Sequence, residues 1–556
     1  MRPSSLLLAA ALAAAPVAAR AGGDALAASV TKEMNRALAG IALPGYPKPY
    51  YIGLNVYDIS GFRELCSLGP RYFKDRYSER SATPDLRVGS HAFDNQPLTP
   101  PTRYVFAGID ETEKEGPIRH ALWLTFDAAY KDAAADYLKK QADFVLRGKA
   151  EYDTDDFTRE PLLHPAAVES PQAWNETALD RLCRDSAQPF AGASWLLSGT
   201  TSVDLARRRL RVFDTEGRHL SLNRDVLEIA ISAVALSSDG VRIEALRHHI
   251  ATSPRAIPAA SLLKKEARDL IAELESLRVA KTTSPFSAPA ILDPEAAGAV
   301  MLAIESRMSG ESARDPSGTQ IFMGKLGKPV LGPSFSLTDD PGLVAFGGRR
   351  LAGHYEIDDQ GIPAQKVALI QNGVLKSFLL SRYPVAGFDH SNGHGRAAPG
   401  YLPVGRPGVA VFTSSRPLSS GDLFALLRRV CAARGKRFGL WVVRARRLLQ
   451  EQQVRGHGAI RLLPGKLYLV DAKSGARTLV RGLDMVGTPW TLLSGIVAAG
   501  KDSRATDFLQ GGVPASAVAP SLLFEEVELQ RSQETPERPP ILPPPGTRRK
   551  RSKKEK

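Results

Sequence analysis

The stretch that decides the fold runs from Arg350 to Arg396, "RLAGHYEIDDQGIPAQKVALIQNGVLKSFLLSRYPVAGFDHSNGHGR". Its centre, Val367 to Leu380, holds Asn372-Gly373 between two β-rich arms. Both central residues of a type I′ turn need positive φ, which Asn and Gly tolerate, so the spacing predicts a tight β-hairpin. Upstream, "GHYEIDDQGIP" (Gly353 to Pro363) gathers His354, Glu356, Asp358 and Asp359 in one polar loop. Downstream, "DHSNGHGR" (Asp389 to Arg396) sets His390 and His394 four positions apart. On a helix that spacing would put both imidazoles on one face. Ser391, Asn392, Gly393 and Gly395 are poor helix formers, so the segment reads as a tight loop in which the spacing has no special meaning. If the two loops meet, His354, Glu356, His390 and His394 could hold zinc or another borderline metal. The plainer reading is two polar loops whose His and Asp satisfy backbone groups or bind peptide.

Working outward, alternation and aromatics predict strands at Tyr50 to Val56 and Arg87 to Asp94. A helix is expected over Leu122 to Leu146, with Leu124, Phe126, Ala129, Ala133, Tyr137 and Phe144 on its apolar side. A proline-bearing connector (Pro161 to Pro171) and a short helix (Trp174 to Leu182) precede alternation from Ala193 to Ile243. Turn signals at Glu216-Gly217 and Asp239-Gly240 divide that alternation into an antiparallel meander of about four strands. Ser261 to Val279 reads as an amphipathic helix with Ser261 as its N-cap. "TTSPFSAP" (Thr282 to Pro289) reads as a linker. Beyond it come strands at Gly408 to Thr413, Gly439 to Arg444, Lys466 to Val470 and Ser521 to Leu529, and helices at Leu418 to Arg434 and Pro489 to Ala499. Strands and helices mix without regular βαβ alternation, which favours an α+β fold with antiparallel sheets and packed helices. The expected division is 1–21, 22–281, 290–530 and a polar tail, 531–556.

The ends carry their own signals. Arg2 followed by "LLLAAALAAA" (Leu6 to Ala15) and Ala19-Arg20-Ala21 reads as a cleavable signal peptide, cut near Ala21. A membrane span needs about 20 apolar residues, and Pro16 and Arg20 interrupt this run. A periplasmic or secreted protein is expected. The last ten residues, "TRRKRSKKEK", hold seven basic residues and one acid, so they supply +6 of the formal net charge of +14. Such a tail is a solvated end or a contact with an anionic envelope surface. An exported chain gives little reason for a nucleic-acid partner. Apolar content of 43% and charged content of 24% exclude a fibrous or wholly disordered protein. Cys66, Cys183 and Cys431 are too few and too scattered for a disulfide framework or a CxxC knuckle, and allow at most one bridge.

Sequence motifs for chemistry are sparse. HExxH, GxSxG, P-loop and GxGxxG patterns are absent. His248-His249 falls on a predicted strand, where neighbours point to opposite faces, so both read as structural. Asp339-Asp340 and Asp358-Asp359 are paired acids suited to a general base, a cation site or a turn.

Taken together, Ile357-Asp358-Asp359, Gly361, Pro363, the Asn372-Gly373 turn, and Ser391, Gly393, Gly395 and Arg396 resemble the central block of the TldD/PmbA family. Gln360 departs from the Glu of the family run. "VRGLDMVGT" (Val480 to Thr488) and "VPASAVAPSLLFEEVEL" (Val513 to Leu529) extend the resemblance over Ala290 to Leu529. It implies the two-domain family fold. Active members are zinc metallopeptidases whose metal is held by an HExxxH helix and a late Cys. In register, "AVMLAIESRMSGE" (Ala299 to Glu311) puts Ala303 and Met308 at the histidine positions and Ile304 at the glutamate position. Thr506 falls near the cysteine position. Only Glu311, matching a downstream acid, persists. The stretch still reads as an amphipathic core helix. The resemblance therefore implies no cofactor and no catalytic residues, as in the metal-free PmbA-like partner subunit. A peptide or unfolded polypeptide would bind between the domains, with Asp358, Asp359, Asn392, Gly393 and Arg396 lining that cleft. The chain would act alone or in a homo- or heterodimer with a TldD/PmbA-type subunit. The competing readings are an active metallopeptidase with zinc relocated to His354, Glu356, His390 and His394, and an envelope-binding structural protein held by its basic tail.

Overall fold

Alternating sequence builds two layered units. The computed structural model describes residues 25–96, 107–109, 114–147, 154–162, 168–314, 321–322, 324–447 and 459–532. The expected signal peptide and the basic tail beyond residue 532 lie outside the described residues.

The first unit is an antiparallel sheet. Arg71–Val88, Pro49–Ser67, Ser198–Asp214, Val226–Leu236 and Arg242–Ala251 follow one another across it, and His219–Asn223 pairs beside Ser198–Asp214. The last four are the expected meander. Gly217 and Gly240 have positive φ in its turns. Side chains alternate between the faces of a strand. Even positions of Pro49–Ser67 face a helical layer. Ile52, Leu54 and Val56 lie under α1 (Ala25–Gly40) and α2 (Glu115–Arg147). Phe62 and Cys66 lie under α3 (Glu176–Ala187) and α4 (Ala260–Val279). Odd positions Tyr57 and Ile59 face the other way, in a cluster that includes Ile357 of the second unit. Cys66 and Cys183 form a disulfide that ties α3 to the sheet, and Cys431 is free and buried.

The second unit places a helix between two sheets. One sheet runs Val374–Leu375, Val367–Gln371, Phe335–Asp339, Val409–Ser414, Val513–Ala519 and Arg504–Gln510. In the other, Phe438–Arg447, Phe286–Leu292, Leu522–Arg531, Leu483–Gly487 and Ile460–Asp471 close on themselves, because the first and last of these also pair. Between the sheets lies α5 (Pro294–Glu305). Asp293 caps it, accepting from the Ala296 amide at 2.9 Å, and Pro294 opens its first turn.

Several expectations change. The second strand is Arg71–Val88, not Arg87 to Asp94. Its first half is exposed on both faces, so alternation gives no signal there. Leu124 is on the solvent side of α2, and the buried stripe runs through Ile118, Leu122, Phe126, Tyr130 and Ala133. The cap of α4 is Ala259, without a side-chain bond, rather than Ser261. The second half of the supposed linker belongs to Phe286–Leu292, a central strand. Pro289, which cannot donate to a ladder, sits where the register against Leu522–Arg531 shifts, so the strand tolerates it. The helix from Pro489 stops at Ser494, and Ile496–Ala499 is a strand. The stretch expected as amphipathic is α5, buried on all sides, because sheets cover it from both directions.

Candidate functional site

The residues expected at the family's ligand positions lie on or just after α5 and on a strand of the sheet beside it. Gly298 of α5 abuts Ala517, which stands opposite Thr506 in the paired strands. Paired residues share a face, so Thr506 is on the α5 side of its sheet. The Ser306 hydroxyl at the end of α5 reaches the Gln510 side chain at 3.2 Å on the same strand. α5 and the strand that carries Thr506 are therefore neighbours. The side chains expected at the ligand positions are apolar or neutral. Ala303 is 2% exposed and Ile304 0%, both packed as core. Met308, 0% exposed, follows the last turn of α5. Protein zinc sites are built from imidazole, thiolate and carboxylate. A methyl, a sec-butyl group, a thioether and a neutral hydroxyl do not make that set, so these four positions do not fit zinc.

One step along α5 stands an acid. Glu305 is fully buried, and neither carboxyl oxygen receives a hydrogen bond. Burial, then the neighbouring Asp339 carboxylate, pushes its pKa well above the usual range, so Glu305 keeps its proton beside Asp339. Asp339 is held as the carboxylate. Burial opposes this, but His394 Nε2 at 3.3 Å and the amides of Gly408 (2.8 Å) and Val409 (3.0 Å) outweigh it. His394 Nδ1 faces Asn392 Oδ1 at 2.9 Å, so both ring nitrogens look onto oxygen acceptors. Glu305, Asp339 and His394 thus form a buried acid–carboxylate–imidazole line. Glu311, the persisting acid, is also buried and pushed up by it. It accepts from the Ser381 hydroxyl and from the Gly405 amide at 2.9 Å.

The five expected cleft residues prove to be buried struts. Asp358 accepts from the amides of Gln360, Ile362 and Gly395, each at 2.9 Å, and burial pushes its pKa up to about 7. Asp359 pairs with Arg224 of the first unit at 2.8 Å and accepts from the Ala397 amide at 2.8 Å. Asn392 bonds Leu380 N and Phe378 O, each at 2.8 Å. Gly393 has φ +72° with the Pro363 carbonyl against it. Arg396 donates to Pro514 O at 2.8 Å and stacks on Tyr355. None of these lines an open groove, because the loops that carry them dock onto the first unit's sheet.

The four residues expected for a relocated metal stay apart. His354 Nδ1 lies 2.8 Å from the Pro341 carbonyl, Glu356 is exposed, and His390 is 71% exposed near Glu160. His394 alone is in the core. Among the described residues, the only group of three or more His, Cys, Asp or Glu side chains with ligand atoms within 4.8 Å is Glu64, Cys66 and Cys183. Two of those are the disulfide. His248 and His249 pair with Glu228 and Glu266 on opposite faces, as expected of structural residues.

Sequence reasoning missed a buried cation stack across the units. Arg382 pairs with Glu216 at 2.8 Å and lies over Phe157, whose ring also packs on Arg87. Its members are scattered from position 87 to 382, so no local pattern marks it. Glu305 had one available signal, a lone acid in an otherwise apolar run.

The comparisons agree with this geometry. Residues 285–531 match the family model described as PmbA/TldA metallopeptidase C-terminal domain. A metalloprotease of Methanothermobacter thermautotrophicus is 30% identical over 169 residues, 30% of this chain and 35% of that protein. One from Methanocaldococcus jannaschii is 34% identical over 109 residues, 19% of this chain and 23% of that protein. The match thus spans about a third or less of these relatives' lengths. Among solved structures, TldE from Thermococcus kodakarensis superposes with a TM-score of 0.57 at 13% identity, covering 90% of this chain and 100% of that one. A proposed modulator of a DNA gyrase from Thermotoga maritima gives 0.58 at 16%, with 90% and 100% covered. These last likenesses are of fold. Residues 285–531 are thus a PmbA/TldA metallopeptidase C-terminal domain, and the chain as a whole has the fold of the TldE and gyrase-modulator structures.

Proposed function

We propose that this protein is an exported, metal-free TldD/PmbA-type subunit that binds peptide or unfolded polypeptide without cleaving it, alone or as the non-catalytic partner of a metal-bearing subunit. The observation that carries the reading is the side-chain set at Ala303, Ile304, Met308 and Thr506. It offers neither the ligands nor the general base of the family reaction. The buried line of Glu305, Asp339 and His394 beside it is closed from solvent, so it is structural rather than a route for substrate. Export is supported by the leader-like N-terminus and by the buried Cys66–Cys183 bridge, since such bridges persist mainly in oxidising compartments. The test is co-purification of the tagged mature chain from its own cells, with peptide hydrolysis measured on the isolated chain and on any complex. The reading expects no hydrolysis by the isolated chain, and activity only where a subunit with an intact HExxxH co-purifies. Hydrolysis by the isolated chain that a chelator abolishes and zinc restores would overturn it in favour of a relocated metal site.

A further inference from the structure

The helical layer of the first unit has a gap, and the floor of the gap is made of arginine. On Ser198–Asp214, odd positions face the helices. Val203 and Leu205 lie beneath α3 and α4, and Phe213 beneath α1 and α2. The odd positions between them are Arg207, Arg209 and Arg211. The neighbouring strand repeats the pattern. Phe62 and Val56 bracket Ser60 and Asp58, with Arg80 opposite Asp58. Over this floor lies a cavity of about 410 Å³, lined also by Ser78, Pro171 and Gln172. That volume falls in the range of small-molecule sites.

Among the described residues, one arginine of this floor has no carboxylate partner. Asp58 takes Arg80 and also Arg211, the latter at 3.2 Å, and Glu176 takes Arg207 at 2.5 Å. Arg209 is left with neutral acceptors, the Ser221 hydroxyl at 2.7 Å and the Glu169 carbonyl at 3.4 Å. It is half-buried in a lining that holds four further guanidiniums and three carboxylates, Asp58, Glu79 and Asp225. Like charges at close range raise the cost of leaving it without an anion. A guanidinium presents a rigid fork of N–H donors that matches the two oxygens of a carboxylate or phosphate. We propose that the gap between the helix pairs binds a small ligand bearing a carboxylate or phosphate group, with Arg209 as its bidentate partner. The site is separate from the α5 centre and does not depend on whether that centre is catalytic.

The experiment is calorimetric titration of the mature chain with inorganic phosphate and, separately, with N-acetyl-trialanine ending in a free carboxylate or in a carboxamide. Saturable binding of phosphate, of the free carboxylate or of both is expected, and the probe that responds identifies the source. The carboxamide should give no signal. Arg209→Gln should weaken binding about tenfold or more, the scale of a lost charge-assisted hydrogen bond, at an unchanged unfolding midpoint. Arg209→Lys should restore only part of it, because an ammonium cannot bind through a fork. Should Arg209→Gln fail to fold, Ser60→Leu, which fills the same floor without removing an arginine, should abolish binding. No saturable binding of either anionic probe, or equal affinity in wild type and a folded Arg209 variant, overturns the proposal.

Discussion

A single proton explains why Glu305 can sit in the core. The folded chain keeps that proton, whereas an unfolded glutamate gives it up once pH passes its ordinary value of 4.5. The folded pKa is raised, so the stability linked to this group is full below that value and is lost as pH rises above it. Glu305→Gln keeps a donor towards Asp339 and cannot ionise. The variant should gain on the wild type with rising pH, by up to about 1.4 kcal/mol per pH unit while the two states differ by one proton. Denaturant unfolding at pH 5 and pH 7.5 measures this, and parallel curves would refute it. Asp359 tests the opposite situation, a buried charge that is paired. Asp359→Ala leaves the Arg224 guanidinium without its carboxylate partner and the Ala397 amide without its acceptor. It should cost about 3–5 kcal/mol, read from the urea midpoint.

At the scale of elements, two tight features hold the central block. Asn372 and Gly373 both have positive φ, as the dipeptide required. Gly393, at φ +72°, would drive a Cβ to within 2.1 Å of the Pro363 carbonyl, which is backbone and cannot move aside. Gly393→Ala should therefore lose about 1–3 kcal/mol from overpacking alone, before the strain of positive φ is counted. A midpoint within error of the wild type would show that the two loops do not pack as described. The hairpin was legible because its turn chemistry is local. So were the meander, with its period of two, and the family block, with its ordered motifs. Phe286–Leu292 was not, since Ser and Pro around it imitate a linker and only the strands on either side make it a strand. The line of Glu305, Asp339 and His394 joins three elements up to 89 positions apart in sequence, and the Arg382 stack joins more distant ones. His394 was legible as a candidate, but its partners were not, because pairing at that range is set by topology.

At the scale of the molecule, the second unit's loops dock on one face of the first unit's sheet, and helices cover most of the other. The Cys66–Cys183 bridge closes 117 residues of chain. Cys66→Ser with Cys183→Ser should lower stability by about 2–5 kcal/mol, and a reductant should reproduce that loss in the wild type but leave the variant unchanged. An equal response of both proteins to the reductant would place the bridge elsewhere. The central proposal is that this chain binds no zinc, because Ala303, Ile304, Met308 and Thr506 stand where the family resemblance implies the metal ligands and general base. It is tested most directly by the zinc content of the purified mature chain after incubation with excess zinc and removal of unbound metal. Well below one zinc per chain is expected. One tightly held zinc per chain, lost on His390→Ala or His394→Ala, would contradict it.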